Sequence, residues 1–115
     1  MLLGAVSGAL IGLRFHSEGW AGGYVSFRRR LLRLGHIAFF GLGLVNVLFA
    51  LSVEAADLPV AAPRVASLAL VVGVVTMPLL CFLSAWRAGF RHLFFVPVLS
   101  VVVAVVLVLA GGLNL

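Results

Sequence analysis

The chain has 115 residues, 64% of them hydrophobic and only 10% charged, with a net charge of +5. Soluble domains carry roughly a quarter charged residues, so this composition excludes an ordinary soluble domain and predicts a single membrane domain. All eight bases are arginines that bracket apolar runs instead of forming a stripe, which points to anionic lipid headgroups and away from nucleic acid.

The first apolar run covers about 2–15, and Arg14 lies near its end. A secretory signal peptide places positive charge before its apolar stretch, whereas here the charge follows. That order predicts a retained helix that starts outside, with Arg14 snorkelling to the cytoplasmic interface. Gly4, Gly8 and Gly12 recur every four residues along it, a spacing that lets helix backbones approach closely in lipid. The interval 16–30, which holds Arg28, Arg29 and Arg30, reads as a cytoplasmic loop.

Three longer runs follow, at about 31–53, 65–86 and 93–113. Each is long enough to cross the roughly 30 Å hydrocarbon core at 1.5 Å per residue. The last is rich in valine, yet in lipid every backbone group needs an internal partner, so a helix is predicted. On the second run His36, Phe39, Gly43, Asn46 and Ala50 form one stripe, which predicts that Asn46 hydrogen-bonds between helices. In the third, Pro78 cannot donate to the carbonyl of Val74, which predicts a kink there, with Thr76 or a neighbouring helix satisfying the freed group. Pro59 and Pro63 mark 54–64 as a loop, and 87–92 reads as a tight turn. Arg33, His36, Phe39 and Phe40 near the second run's start are echoed by Arg91, His92, Phe94 and Phe95 at the fourth's, as a duplicated hairpin would produce.

Seven arginines (14, 28, 29, 30, 33, 87 and 91) then share one side, and Arg64 stands on the other with Glu54 and Asp57. Short arginine-rich loops stay in the cytoplasm. The predicted fold is therefore an all-α integral membrane protein, with four transmembrane helices in two out-in-out hairpins. Both termini would lie outside an inner membrane.

Chemistry is sparse. Glu18, Glu54 and Asp57 are assigned to loops, so no paired acids meet in a cavity. Cys81 and the histidines lack metal-ligand spacing, and no nucleophile elbow or phosphate-binding glycine loop occurs. The chain is not expected to be an enzyme by itself. His36 and His92 could ligate a haem b near the cytoplasmic side, with Arg33, Arg87 or Arg91 on its propionates and Gly35, Gly41 and Gly43 leaving room for the macrocycle. A histidine at a membrane interface also needs no ligand, because it sits neutral among headgroups.

The segment from Gly8 to Phe15, with its glycines, Ala9 and Arg14, resembles the first helix of the small fluoride channels. Val45 and Asn46 are similar to their second-helix asparagine. The third helix departs from that family, having Thr76, Met77 and Pro78 where those channels have a threonine–phenylalanine–serine segment. The resemblance implies a homo-oligomeric small-ion channel. The composition and the tiny loops favour instead a small accessory subunit surrounded by other transmembrane subunits, in a respiratory or other redox complex, beside a haem b or a quinone.

Overall fold

The computed structural model describes residues 1–56 and 61–112. These form four α-helices: α1 Leu2–Phe15, α2 Phe27–Ala56, α3 Ala61–Trp86 and α4 Phe95–Gly112. Short 3-10 segments lie at Trp20–Gly22 and Ala88–Leu93. Three stretches, Phe27–Ala55, Pro63–Trp86 and Ala88–Gly111, are long and apolar enough to cross a membrane; α1, with 14 residues, is shorter.

The second helix starts four residues earlier than hydropathy predicts, and a hydroxyl explains why. Ser26 Oγ donates to the Ala21 carbonyl (2.6 Å) and accepts from the Arg29 N–H (3.2 Å), so one group closes the preceding turn and caps α2. The turn itself uses left-handed backbone at Ala21 (φ 54°), Gly22 and Gly23. Arg28, Arg29 and Arg30 thus belong to the first turn of α2, not to a loop.

At the other end the expected 54–64 loop contracts. Glu54 is helical in α2, while Pro63 and Arg64 are helical in α3. Pro63 fits because the first turn of a helix has no intrahelical acceptor for its N–H groups. Asp57 and Pro59 lie outside the described residues, as does Leu113 beyond α4. The expected turn at 87–92 is the 3-10 segment Ala88–Leu93, and α4 starts at Phe95. The echo of the second run in the fourth is therefore not structurally equivalent, because Arg33 lies inside α2 whereas Arg91 precedes α4.

Consecutive helices pack antiparallel, α1 on α2, α2 on α3 and α3 on α4. The result is an open layer of 53 × 27 × 17 Å, not a closed four-helix bundle. At each junction a glycine admits the neighbour. A Cβ on Gly4 would stand 2.9 Å from that of Phe39, one on Gly35 3.0 Å from that of Cys81, and one on Gly73 2.8 Å from Val101 Cγ2. The apolar core lies at the α3–α4 junction, where buried Ala66, Leu70 and Ala104 meet Phe49 of α2. Pro78 is buried within α3, which continues through it, and Thr76 Oγ donates to the Val72 carbonyl (2.7 Å) and not to that of Val74.

α1 accompanies only the first part of α2. Gly8 faces His36, Gly4 faces Phe39 and Phe40, and Met1 lies against Gly43, beyond which α2 continues to Ala56.

Candidate functional site at the arginine-rich end

Antiparallel packing gathers the end of α1, the start of α2, the end of α3 and the start of α4 at one end of the layer. Arg14, Arg28, Arg29, Arg30, Arg33, Arg87 and Arg91 are all there. Cations in the first turn of a helix oppose its dipole, so the α2 arginines need acceptors. They find them on backbone carbonyls. Arg28 Nε donates to the Ala85 carbonyl in the last turn of α3 (2.8 Å), and Arg30 Nη2 to the Val25 carbonyl (3.0 Å). Helix C-termini leave such carbonyls without intrahelical partners, and an arginine from a neighbouring helix suits them.

Arg29 takes this furthest. Its side chain is fully buried, yet it lies at a polar helix end. Nη1 donates to the Ser17 carbonyl (3.1 Å) and Nη2 to the Phe15 carbonyl, which also accepts from Tyr24 Oη (3.2 Å). The guanidinium carbon stands 3.8 Å from the Tyr24 ring centre, 4.1 Å from that of Phe15 and 5.5 Å from that of Trp20. Aromatic faces attract a cation at such distances, more strongly where water is excluded. Hydropathy alone puts Arg29 in a cytoplasmic loop. One signal could have revealed it: Arg29, His36 and Gly43 are seven apart, which puts all three on the face that meets α1.

His36 also turns to α1. Its Nδ1 lies 2.8 Å from the Gly4 carbonyl and 3.5 Å from Ser7 Oγ. A carbonyl oxygen only accepts, so Nδ1 is the nitrogen that donates there. The ring edge holding both nitrogens rests on Gly8, where a Cβ would collide with the imidazole, and Phe40 meets the ring edge-on at 5.4 Å. Arg33 is exposed on the same side, its guanidinium 5.8 Å from the Phe15 ring centre. His92 and Arg91 are exposed on the 3-10 segment that packs on α3, whereas the His36 ring is turned to α1. Of the glycines expected to leave room for a macrocycle, Gly35 is filled by Cys81 and Phe82, Gly43 meets Met1, and Gly41 is open.

Asn46 Nδ2 donates to the Leu42 carbonyl of its own helix (2.9 Å) and to the Leu70 carbonyl of α3 (3.4 Å), while Ala50 of the same stripe is exposed. A Cβ on Gly12 would meet nothing within 4 Å. Among the described residues no group of three His, Cys, Asp or Glu side chains could hold a metal ion.

Two open cavities share Trp86, and a third adjoins the second through Arg87 and Phe90. Arg28, Leu32, Phe82, Ala85 and Trp86 line one of about 230 Å³, and Leu83, Trp86, Arg87 and Phe90 line a second of about 330 Å³. Arg87, Gly89, Phe90, His92 and Leu93 line the third, of about 460 Å³. Each combines cationic or imidazole groups with apolar walls, an arrangement suited to holding anions and unsuited to general acid–base work by carboxylates. Comparison of the chain with family models, with curated proteins and with solved structures gives no match in any of the three.

Proposed function

We propose that this chain is a small accessory subunit of a larger inner-membrane assembly, of the respiratory or another redox type, to which it contributes a helical layer and no catalytic group. The observation that carries this reading is the openness of the layer. Its outer helices each rest on one principal neighbour, and rows of Leu and Val on α2 and α4 stay exposed. Gly12 and Gly41 stand in open space, flat spots of the kind where another helix approaches closely in lipid. The redox class rests on the histidine–arginine–aromatic pattern of the basic end.

In this reading the chain makes two out-in-out hairpins, with the arginine-rich end in the cytoplasm. The short α1 enters beside the first part of α2. Because α1 occupies the nitrogen edge of His36, that ring is assigned a packing role and not axial ligation of a haem.

The test is recovery of the tagged chain from its native membrane in mild detergent. Other transmembrane proteins, including a redox subunit, should accompany it in fixed proportion. A homo-oligomer that passes ions in liposomes by itself, with flux altered by Asn46→Ala, would replace this reading with the channel.

A further inference from the structure

We propose that the paired cavities flanking Trp86 bind one acidic phospholipid. Its phosphate sits between the guanidinium groups of Arg28 and Arg87, and its acyl chains run along Leu32, Phe82 and Leu83. The proposal rests on the placement of the apolar helices in a membrane and is independent of the subunit role.

Charge gives the first argument. The two cavities share Trp86, each contributes one arginine, and no carboxylate lines either of them. Arg28 spends only its Nε, on the Ala85 carbonyl, and among the described residues its Nη groups and the Arg87 guanidinium have no hydrogen-bond acceptor. An arginine presents its N–H groups in a fork that matches phosphate oxygens.

Geometry gives the second. A surface arginine ordinarily sweeps a large volume, but the 2.8 Å bond to Ala85 fixes Arg28 at the α2–α3 junction. The anion site is thereby partly organised before any ligand arrives, which lowers the entropy lost on binding.

The apolar walls decide what kind of anion fits. Below the arginines the lining is Leu32, Phe82, Ala85 and Leu83, and Trp86 is 83% exposed beside them. Tryptophan favours the headgroup level, and α2 and α3 are both long and apolar enough to cross a membrane. A cationic rim over an apolar wall, facing lipid, matches an amphiphile with a phosphate head. Inorganic phosphate would leave the apolar part unused.

The chain has two tryptophans, so Trp20→Phe leaves Trp86 as the only one. The full chain carrying that change is reconstituted in phosphatidylcholine vesicles containing the same minor fraction of brominated phosphatidylglycerol or brominated phosphatidylcholine. Bromine quenches tryptophan on contact, so quenching reads local lipid occupancy. The brominated phosphatidylglycerol should quench more strongly, each arginine contributing about a fivefold preference. Arg87→Gln, which breaks no internal hydrogen bond, should cut the preference about fivefold, and Arg28→Gln with Arg87→Gln should remove it. Arg14→Gln, at the same end but outside the cavities, should leave it intact. Equal quenching by both lipids, or an equal loss with Arg14→Gln, overturns the site in favour of diffuse surface attraction. Loss of the preference on adding inorganic phosphate makes the ligand a free anion and overturns the lipid. No quenching by either lipid removes the membrane placement and the site with it.

Discussion

The Arg29 guanidinium donates to the Phe15 carbonyl and also lies 4.1 Å from the centre of the same residue's ring. One cation thus holds both the backbone end and the side chain at the C-terminus of α1. Removing it should free α1 from α2. Arg29→Ala leaves the Phe15 and Ser17 carbonyls short of a donor and empties the space between three rings. The expected loss is about 3 kcal/mol, from charge-assisted hydrogen bonds plus cation–π attraction. Arg29→Lys should recover less than half, because an ammonium cannot fork to two carbonyls while stacking on rings. Thermal unfolding in detergent and protease nicking within 16–26 measure both effects. An Arg29→Ala protein that melts like the parent and resists nicking would refute the anchoring role.

Glycines on one helix face need not be equivalent. Gly8→Leu drives a side chain into the His36 ring and should sharply lower the yield of folded protein. Gly12→Leu enters open space and should fold normally. If Gly12→Leu folds but no longer recovers partner subunits, Gly12 marks the face on which they dock. Equal tolerance at positions 8 and 12 would mean that α1 does not pack on His36.

The second helix shows what was legible in the sequence and what was not. Its apolar length and its interhelical Asn46 could be read directly, because both depend on side chains in a regular pattern. Its start could not, because hydropathy ends where Arg30 begins while the backbone stays helical back to Phe27. The physical start signal was Ser26, three residues after the Gly22–Gly23 pair, and three consecutive arginines masked it. The contact of His36 with α1 was hidden for a related reason. A histidine beside arginines and phenylalanines has the composition of a haem pocket, but composition does not say which face a short neighbouring helix covers. The open layer was equally hidden: four apolar helices suggest a bundle, and only packing shows that neighbours in sequence are the main neighbours in space.

His36 supplies a spectroscopic check. With Nδ1 donating to the Gly4 carbonyl, nitrogen NMR of labelled protein in lipid should show a proton on Nδ1 coupled across that hydrogen bond. His36→Ala should cost about 1–2 kcal/mol, from one lost hydrogen bond and a small cavity. The parent should show no Soret band for the substitution to abolish. A visible spectrum that vanishes in both His36→Ala and His92→Ala would reinstate axial ligation and require α1 to move aside.

The orientation prediction decides which compartment meets the arginine cluster. Seven arginines stand at one end of the layer, while Glu54 and Arg64 stand at the other. Charge asymmetry of this size predicts that the seven lie in the cytoplasm. Cys81 is buried in α3, so Cys81→Ala gives a background without a native thiol. In that background Glu54→Cys should react with an impermeant maleimide added to intact cells, and Glu18→Cys only after the cells are opened. Both residues belong to the described chain, and Glu18 lies in the segment that Arg29 ties down through the Ser17 carbonyl. Labelling of Glu18→Cys from outside, with Glu54→Cys protected, would invert the protein and place the Arg28–Trp86–Arg87 cavities in the outer leaflet. Labelling of both from outside would mean that α2 does not cross. Protection of Glu54→Cys and labelling of Arg64→Cys would separate two ends that the layer puts together, and would argue against the antiparallel pairing of α2 with α3.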